Sequence, residues 1–415
     1  MRIVYDLVLF IYSQAIRMAA IFGNQKAKNW IEGRIQWQEK LRRAINNTER
    51  KKYWFHCASL GEFEQGRPLI EKIRGEFPDA FLVLTFFSPA GFEIRKNYPE
   101  VNYVCYLPID TKSNATIFVE ILNPDKTFFI KYEFWYHFFQ ELKKKKKETY
   151  IISANFRPDQ VFFKWYGGFF RSILQNVTHL FVQDKNSSRL LTDIGINATT
   201  VSGDTRFDRV IKITSEINSN LILSNFKKDE LLLIAGSTWK EDEELILQEF
   251  YSKGHKRYKL IIFPHEIHDQ HLKSLEENIY NLGGNKDSVR YSNYNPSIDY
   301  KILLIDTIGM LSSAYYFADI TYVGGGFGKG IHNILEPAAH GKPILFGPEY
   351  NKFREAHELI AARGAFSIKN QSEYKRKLNQ LLGNPEEIKI AGRLSKEYVI
   401  TNSGACEIIY RSIFS

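Results

Sequence analysis

From Lys51 onward, short apolar runs alternate with stretches whose apolar residues recur every three to four positions. The first pattern predicts buried strands and the second amphipathic helices. Lys51–Ser59 (KKYWFHCAS) reads as a strand, and Ser59-Leu60-Gly61-Glu62 turns it into a helix that runs through Ile73. Strands follow at 81–85, 103–107, 127–130, 150–154, 180–183 and 200–203, with helices at 88–97 and 133–143 among them. Residues 207–228 are polar and lack a strand pattern, which predicts a boundary. A second series then places strands at 231–238, 260–263, 302–305, 320–323, 344–346 and 365–368. Such alternation predicts an α/β chain with two parallel, doubly wound, Rossmann-like sheets. The expected segments are 1–45 (membrane-associating helical segment), 46–209 (first domain), 210–227 (linker), 228–395 (second domain) and 396–415 (a C-terminal helix at the domain junction). Two such domains on one linker predict a cleft between the carboxyl edges of their sheets, where ligands of these folds bind.

The N-terminal stretch breaks this rhythm. Residues 3–22 (IVYDLVLFIYSQAIRMAAIF) are strongly apolar but contain Asp6, Gln14 and Arg17, more charge than a spanning helix carries over about 20 residues. No cleavable-signal pattern lines up. Tyr5, Tyr12 and the following Lys26, Lys28, Arg34, Lys40, Arg42 and Arg43 predict a helix seated at an anionic membrane surface; a buried core helix is the competing expectation.

Composition narrows the partners. A chain of 415 residues exceeds the usual size of one core. Its +9 formal charge and pI near 9.1 point to an acidic partner: anionic lipid, a phosphorylated substrate or nucleic acid. The basic residues are scattered or tied to the N-terminus and no reader motif is present, so nucleic acid is not expected. Cys57, Cys105 and Cys406 form no C-x-x-C, which argues against a disulfide framework or a zinc site.

Candidate chemistry gathers at strand ends. Asp319–Pro348 runs from a strand through Gly324, Gly325, Gly326, Gly328 and Gly330 into a short helix at Asn333–His340, a layout that sets an anion against backbone N–H groups. His332-Asn333-x-x-Glu336-Pro337 adds polar side chains that a purely structural turn would not need. Ala235–Thr238, Phe263–Glu266 and Asp306–Met310 follow neighbouring strands, and the four loops together predict a nucleotide site. His268 stands one residue early for H-E-x-x-H, so zinc hydrolysis is unsupported. In the first half, Ser59-x-x-Glu62 reads equally as a capping box and as a carboxylate held ready to take a proton. Glu133 follows another strand, and Arg206 lies in Gly203–Asp208 near the end of the domain.

Together these blocks resemble the 3-deoxy-D-manno-octulosonic acid (Kdo) transferase family, GT-B glycosyltransferases of lipid A and lipopolysaccharide core assembly. The resemblance spans nearly the whole chain: A-S-L-G-E at 58–62, Y-E-F-W at 132–135, S-A-N-F-R at 153–157, G-D-T-R-F-D at 203–208, A-G-S-T at 235–238, D-T-I-G at 306–309 and H-N-I-L-E-P-A-A at 332–339. It implies transfer of Kdo from CMP-Kdo to a hydroxyl of a tetraacyl disaccharide bisphosphate, an anionic lipid A precursor, at the cytoplasmic side of the inner membrane. It also implies Glu62 as general base, Glu133 and Arg206 as aids to the transition state, and CMP contacts from Pro264, His265, Ile308, Gly309, Met310, Asn333, Ile334, Leu335 and Glu336, with no metal and no cofactor beyond the donor. Arg206 stands where the family usually has Lys, Lys131 where it has an acidic residue, and Met310 where it has an acidic or polar one. The alternatives are another GT-B transferase or an epimerase using a UDP-sugar, and a catalytically silent, membrane-bound nucleotide-binding protein.

Overall fold

The computed structural model describes residues 1–46, 48–215, 220–252, 258–284 and 286–415. It divides into two compact units, Met1–Arg209 with Ser403–Ser415, and Val210–Asn402. Each is built on one seven-stranded, wholly parallel sheet.

In the first unit the strands are β1 (Lys52–Cys57), β2 (Phe81–Phe86), β3 (Tyr103–Tyr106), β4 (Lys126–Ile130), β5 (Glu148–Ala154), β6 (His179–Val182) and β7 (Thr199–Val201), in the order β3-β2-β1-β4-β5-β6-β7. The second unit has β8 (Leu232–Thr238), β9 (Lys259–Pro264), β10 (Ser288–Arg290), β11 (Ile302–Leu304), β12 (Ile320–Val323), β13 (Ile344–Phe346) and β14 (Ala365–Ser367), in the order β10-β11-β9-β8-β12-β13-β14. Chain order reverses between β1 and β4 in one sheet and between β8 and β12 in the other, which opens a crevice at the carboxyl end of each pair.

Helices cover both faces of each sheet, so strand side chains are buried whichever way they point. Trp54, Val83, Phe129 and Ile151 join the core on one face of the first sheet, and Phe55, Leu84, Phe128 and Ile152 that on the other. Leu233, Ile262 and Tyr322 against Ile234, Ile261 and Phe263 repeat the pattern in the second. This explains the unbroken apolar runs. The weakest pattern, Ser288–Arg290, is an edge strand that the sequence reading missed.

The apolar N-terminal helix, Arg2–Ile21, lies against the first unit by its polar residues. The Tyr5 hydroxyl donates to Asp110 Oδ2 at 2.6 Å, and Asp6 Oδ1 lies 2.6 Å from His137 Nε2. Ile3, Val4, Leu7, Val8, Phe10 and Ile11 are exposed, the inverse of a soluble amphipathic helix. A buried core helix is therefore not what forms. Arg34, expected among the membrane-facing basic residues, instead stacks 3.9 Å over the Trp30 ring and donates to the Trp30, Phe87 and Leu107 carbonyls.

The stretch 396–415, read as one helix, is two: Pro385–Thr401 ends before Gly404 at φ +102°, and Ala405–Phe414 begins after it. Asp208 accepts from the Gly404 and Cys406 amides at 2.9 and 3.3 Å, and Cys406 and Ile409 enter the first unit's core.

Candidate active site

The β1 and β4 ends in the first unit deliver both sequence-predicted carboxylates to one crevice. Ser59 is the N-cap of the helix Leu60–Glu76, its Oγ accepting from the Glu62 amide at 3.4 Å. Glu62 reaches back, and its Oε2 accepts from the Ala58 amide at 2.5 Å. The capping geometry is thus present, and it aims the carboxylate at the sheet edge rather than into solvent. Burial, with Glu133 as the second cause, lifts the Glu62 carboxyl from its ordinary 4.5 to about 7; the Ala58 and Ser59 amides and Lys131 oppose that rise. One side chain therefore both closes a helix end and is poised to exchange a proton near neutrality.

Glu133 does not begin a helix. The helix starts at Tyr136, and Glu133 belongs to the turn after β4, which opens with Lys131 at φ +66°. That turn folds Glu133 back over β1, where its Oε2 lies 3.3 Å from His56 Nε2 and accepts from Trp135 Nε1 at 2.9 Å. Arg206 sits in the first turn of the helix Thr205–Ser215, its Nε donating to Asp204 Oδ2 at 2.8 Å. Asp204 is itself held by Gln65 Nε2 at 3.1 Å, so the Arg206 guanidinium is aimed by a buried carboxylate.

In the second unit the four predicted loops follow β8, β9, β11 and β12, which are adjacent in the sheet. Pro264 ends β9, with His265 next; Ile308, Gly309 and Met310 form the turn after β11, Gly309 at φ +91° and Ile308 almost wholly exposed. Asn333, Ile334, Leu335 and Glu336 lead into the short helix Leu335–Ala339. Asn333 Oδ1 accepts from the Leu335 amide at 3.1 Å and its Nδ2 donates to Glu336 Oε1 at 3.0 Å. The polar pair thus organises the turn itself, a structural use the sequence reading had set aside.

The glycine loop also differs from expectation. The amides of Gly324, Gly325, Gly328 and Gly330 are bonded to Gly236 O, Asp242 Oδ2, Gly325 O and Gly325 O, so they do not form an open cradle. A Cβ at Gly324 would stand 2.4 Å from Ser237 O, and one at Gly326 2.6 Å from the Gly347 backbone. Close approach of three strand ends requires these glycines. Asp242 is the hub: buried, it accepts from Gly325 N at 2.8 Å, Trp239 N at 3.0 Å and the Tyr322 hydroxyl at 2.7 Å, while burial pushes its carboxyl up.

Trp239, His265 and His332, one from each of three loops, stack with centroids 4.5 and 4.6 Å apart and successive planes inclined by 26°, and Trp239 Nε1 donates to His332 Nε2 at 3.1 Å. Burial, then His265, holds the His332 imidazole below its ordinary range. Sequence reasoning named His265 but missed Trp239 and Asp242, and it missed His56 in the first unit. A polar residue inside the apolar run YWFHCAS was the available signal for the last.

The comparisons with known proteins bear on family and fold. Residues 35–209 match the model of the 3-deoxy-D-manno-octulosonic-acid transferase (kdotransferase) family. A 3-deoxy-D-manno-octulosonic acid transferase of Rickettsia bellii is 28% identical over 84% of this chain and 84% of its own length. One from Aquifex aeolicus is 26% identical over 81% of this chain and 88% of its own. Among solved structures, a UDP-GlcNAc 2-epimerase from Neisseria meningitidis bound to UDP-GlcNAc superposes with a TM-score of 0.63 at 16% identity, covering 87% of this chain and 99% of that one, a likeness of fold alone. Residues 35–209 thus match the Kdo transferase family's domain, relatives named Kdo transferases align along most of the chain, and the fold is GT-B-like.

Proposed function

We propose that this chain is a Kdo transferase that takes its sugar from CMP-Kdo and passes it to a hydroxyl of an anionic lipid A precursor, at the cytoplasmic side of the inner membrane. The observation that carries the reading is the Glu62 carboxylate, held at the switch-point edge with its proton affinity raised to about 7. A general base works best when its pKa lies near the operating pH. In this reading the acceptor hydroxyl oxygen forms the bond to the anomeric carbon, Glu62 takes the hydroxyl proton, and the bond to the CMP phosphate oxygen breaks with its electron pair leaving on CMP. Glu133 supports the positive charge that develops on the sugar, and Arg206, aimed by Asp204, meets the leaving phosphate. The nucleotide is assigned to Pro264, His265, Ile308–Met310 and Asn333–Glu336, and no metal is invoked.

The exposed apolar face of Arg2–Ile21 supports a membrane-seated enzyme whose acceptor stays in the lipid layer. Tyr5 and Asp6 are committed to the protein body, which favours a helix lying on the membrane over one crossing it. The deciding experiment incubates purified protein with CMP-Kdo and a tetraacyl disaccharide bisphosphate and weighs the products by mass spectrometry. Glu62→Gln should abolish the added Kdo mass while CMP titration by calorimetry stays at the parent's affinity. Turnover retained in Glu62→Gln, or transfer from a UDP-sugar in place of CMP-Kdo, would refute it.

A further inference from the structure

Beneath the β1–β4 crevice, five side chains form one hydrogen-bonded line, buried at Trp54, Thr85 and His56 and half-buried at Glu133 and Trp135. Trp54 Nε1 donates to Thr85 Oγ1 at 2.8 Å, and Thr85 Oγ1 lies 2.9 Å from His56 Nδ1 and 3.2 Å from the Phe55 carbonyl. His56 Nε2 lies 3.3 Å from Glu133 Oε2, and the Trp135 indole N–H reaches both, at 3.1 and 2.9 Å. His56 is wholly inaccessible, and its ring meets Phe129 and Trp135 edge-on. It stands on β1 directly opposite Thr85 of β2, so the strand register sets the line.

The protons of this line can be counted. The Thr85 hydroxyl accepts from Trp54 and has one proton to give, to Phe55 O or to His56 Nδ1. If Phe55 receives it, His56 Nδ1 carries a proton toward Thr85, and the Nε2 lone pair accepts from the Trp135 N–H, which it shares with Glu133 Oε2. If His56 Nδ1 receives it, Nε2 carries the ring's proton and gives it to Glu133. In the first arrangement the Trp135 N–H alone bridges the pair; in the second the ring's own proton lies between Nε2 and Oε2, and Trp135 donates to Oε2.

We propose that His56 is a positioning residue for Kdo transfer: it gives the Nε2 proton to Glu133 Oε2, which fixes the orientation of that carboxylate beside Glu62. The inference rests on the proposed roles of Glu62 and Glu133 and adds the residue through which they are set. The charged and titratable groups around the pair are few. Lys131 comes from the same turn as Glu133; Cys57, next to His56 on β1, has its thiol pushed far up by burial and stays neutral; Glu64 follows Glu62 on its helix. The Glu133 charge is the second cause of the rise at Glu62, so loss of the donor that offsets that charge raises the pH at which Glu62 takes its proton. Transfer needs Glu62 ionised.

The test is the pH dependence of kcat and KM for the full-length protein, with CMP-Kdo and the lipid acceptor, in His56→Phe, His56→Gln and Glu133→Gln. His56→Phe should move the acidic limb of kcat up by about one pH unit, the scale of one charge-assisted hydrogen bond. KM for CMP-Kdo should hold within about twofold, because the nucleotide is assigned elsewhere. The glutamine amide in His56→Gln retains a donor toward Glu133, so the limb should return to within a few tenths of a unit of the parent's. Should His56→Phe fail to fold, selective 15N-histidine labelling of the parent reads the same point. A His56 Nε2 resonance without a proton, in a protein whose Glu133 is ionised, overturns the proposal. So does a His56→Phe limb that stays in place while kcat falls equally at every pH. The parent reading fails separately: Glu133→Gln with full turnover removes the role of Glu133, whatever His56 does.

Discussion

Replacing Glu62 by Gln separates the two roles its geometry combines, because they oppose each other in stability. In the folded chain the carboxyl titrates at about 7 against an ordinary 4.5, and an acid with a raised folded pKa is favoured in its protonated form. Its contribution is fully present below pH 4.5 and is lost as the pH rises through 7. The shift corresponds to roughly 3 kcal/mol, most of which develops between pH 5 and pH 8.5. Glutamine has no such dependence and retains an oxygen for the Ala58 amide. At pH 5 the variant should melt within a few degrees of the parent, the residual being the weaker neutral acceptor at the helix end, about 1 kcal/mol. At pH 8.5 it should gain about 2–3 kcal/mol relative to the parent, which for a unit of this size is roughly 5–10 °C in the transition that reports the first unit. The assay is a pair of thermal scans at the two pH values, read by fluorescence and matched for salt, alongside turnover at pH 8. A Tm difference that does not change with pH refutes the buried, proton-holding carboxylate and leaves only a cap. A variant gaining stability at high pH and losing turnover shows that the chain keeps this charge buried at a cost to its own fold.

Three further outcomes follow from the same contacts. Asp242→Ala leaves the Gly325 and Trp239 amides and the Tyr322 hydroxyl without their acceptor, so the second unit should lose about 3 kcal/mol, measured as an earlier urea transition, with CMP affinity falling alongside. Trp239→Ala removes the first ring of the stack on which His265 and His332 rest; CMP binding should weaken about 3–10-fold by calorimetry, and unchanged affinity would dissociate the stack from the nucleotide site. Leu7→Glu with Ile11→Glu charges the exposed face of the N-terminal helix while sparing Tyr5 and Asp6; vesicle co-sedimentation should drop at least tenfold with the melting profile unchanged, and undiminished binding would locate membrane contact elsewhere.

Much of this molecule can be read from its chain alone, for a physical reason. A parallel strand is buried on both faces, so the runs at β1, β4, β8 and β12 are mostly apolar and visible one by one, and the loops after them necessarily lie at carboxyl edges. Glu62, Glu133, His265 and Glu336 were found that way. The edge strand β10 was not, because a short strand with half-exposed residues leaves no such run.

What the sequence determined by itself was therefore local: element type, the order of the strands along the chain, the capping box at Ser59 and the polarity of each turn. Which atoms meet was decided by tertiary structure. Strand order placed the β1 and β4 ends side by side and brought Glu62 within electrostatic reach of Glu133, 71 residues later in the chain. The same packing closed the Gly324 loop on Asp242 where open amides were expected, turned Arg34 inward, and put a histidine from the middle of an apolar strand beneath the carboxylate it faces. Proton affinity, orientation and access depend on desolvation and on distances across strands, and neither quantity is written in any single stretch of chain.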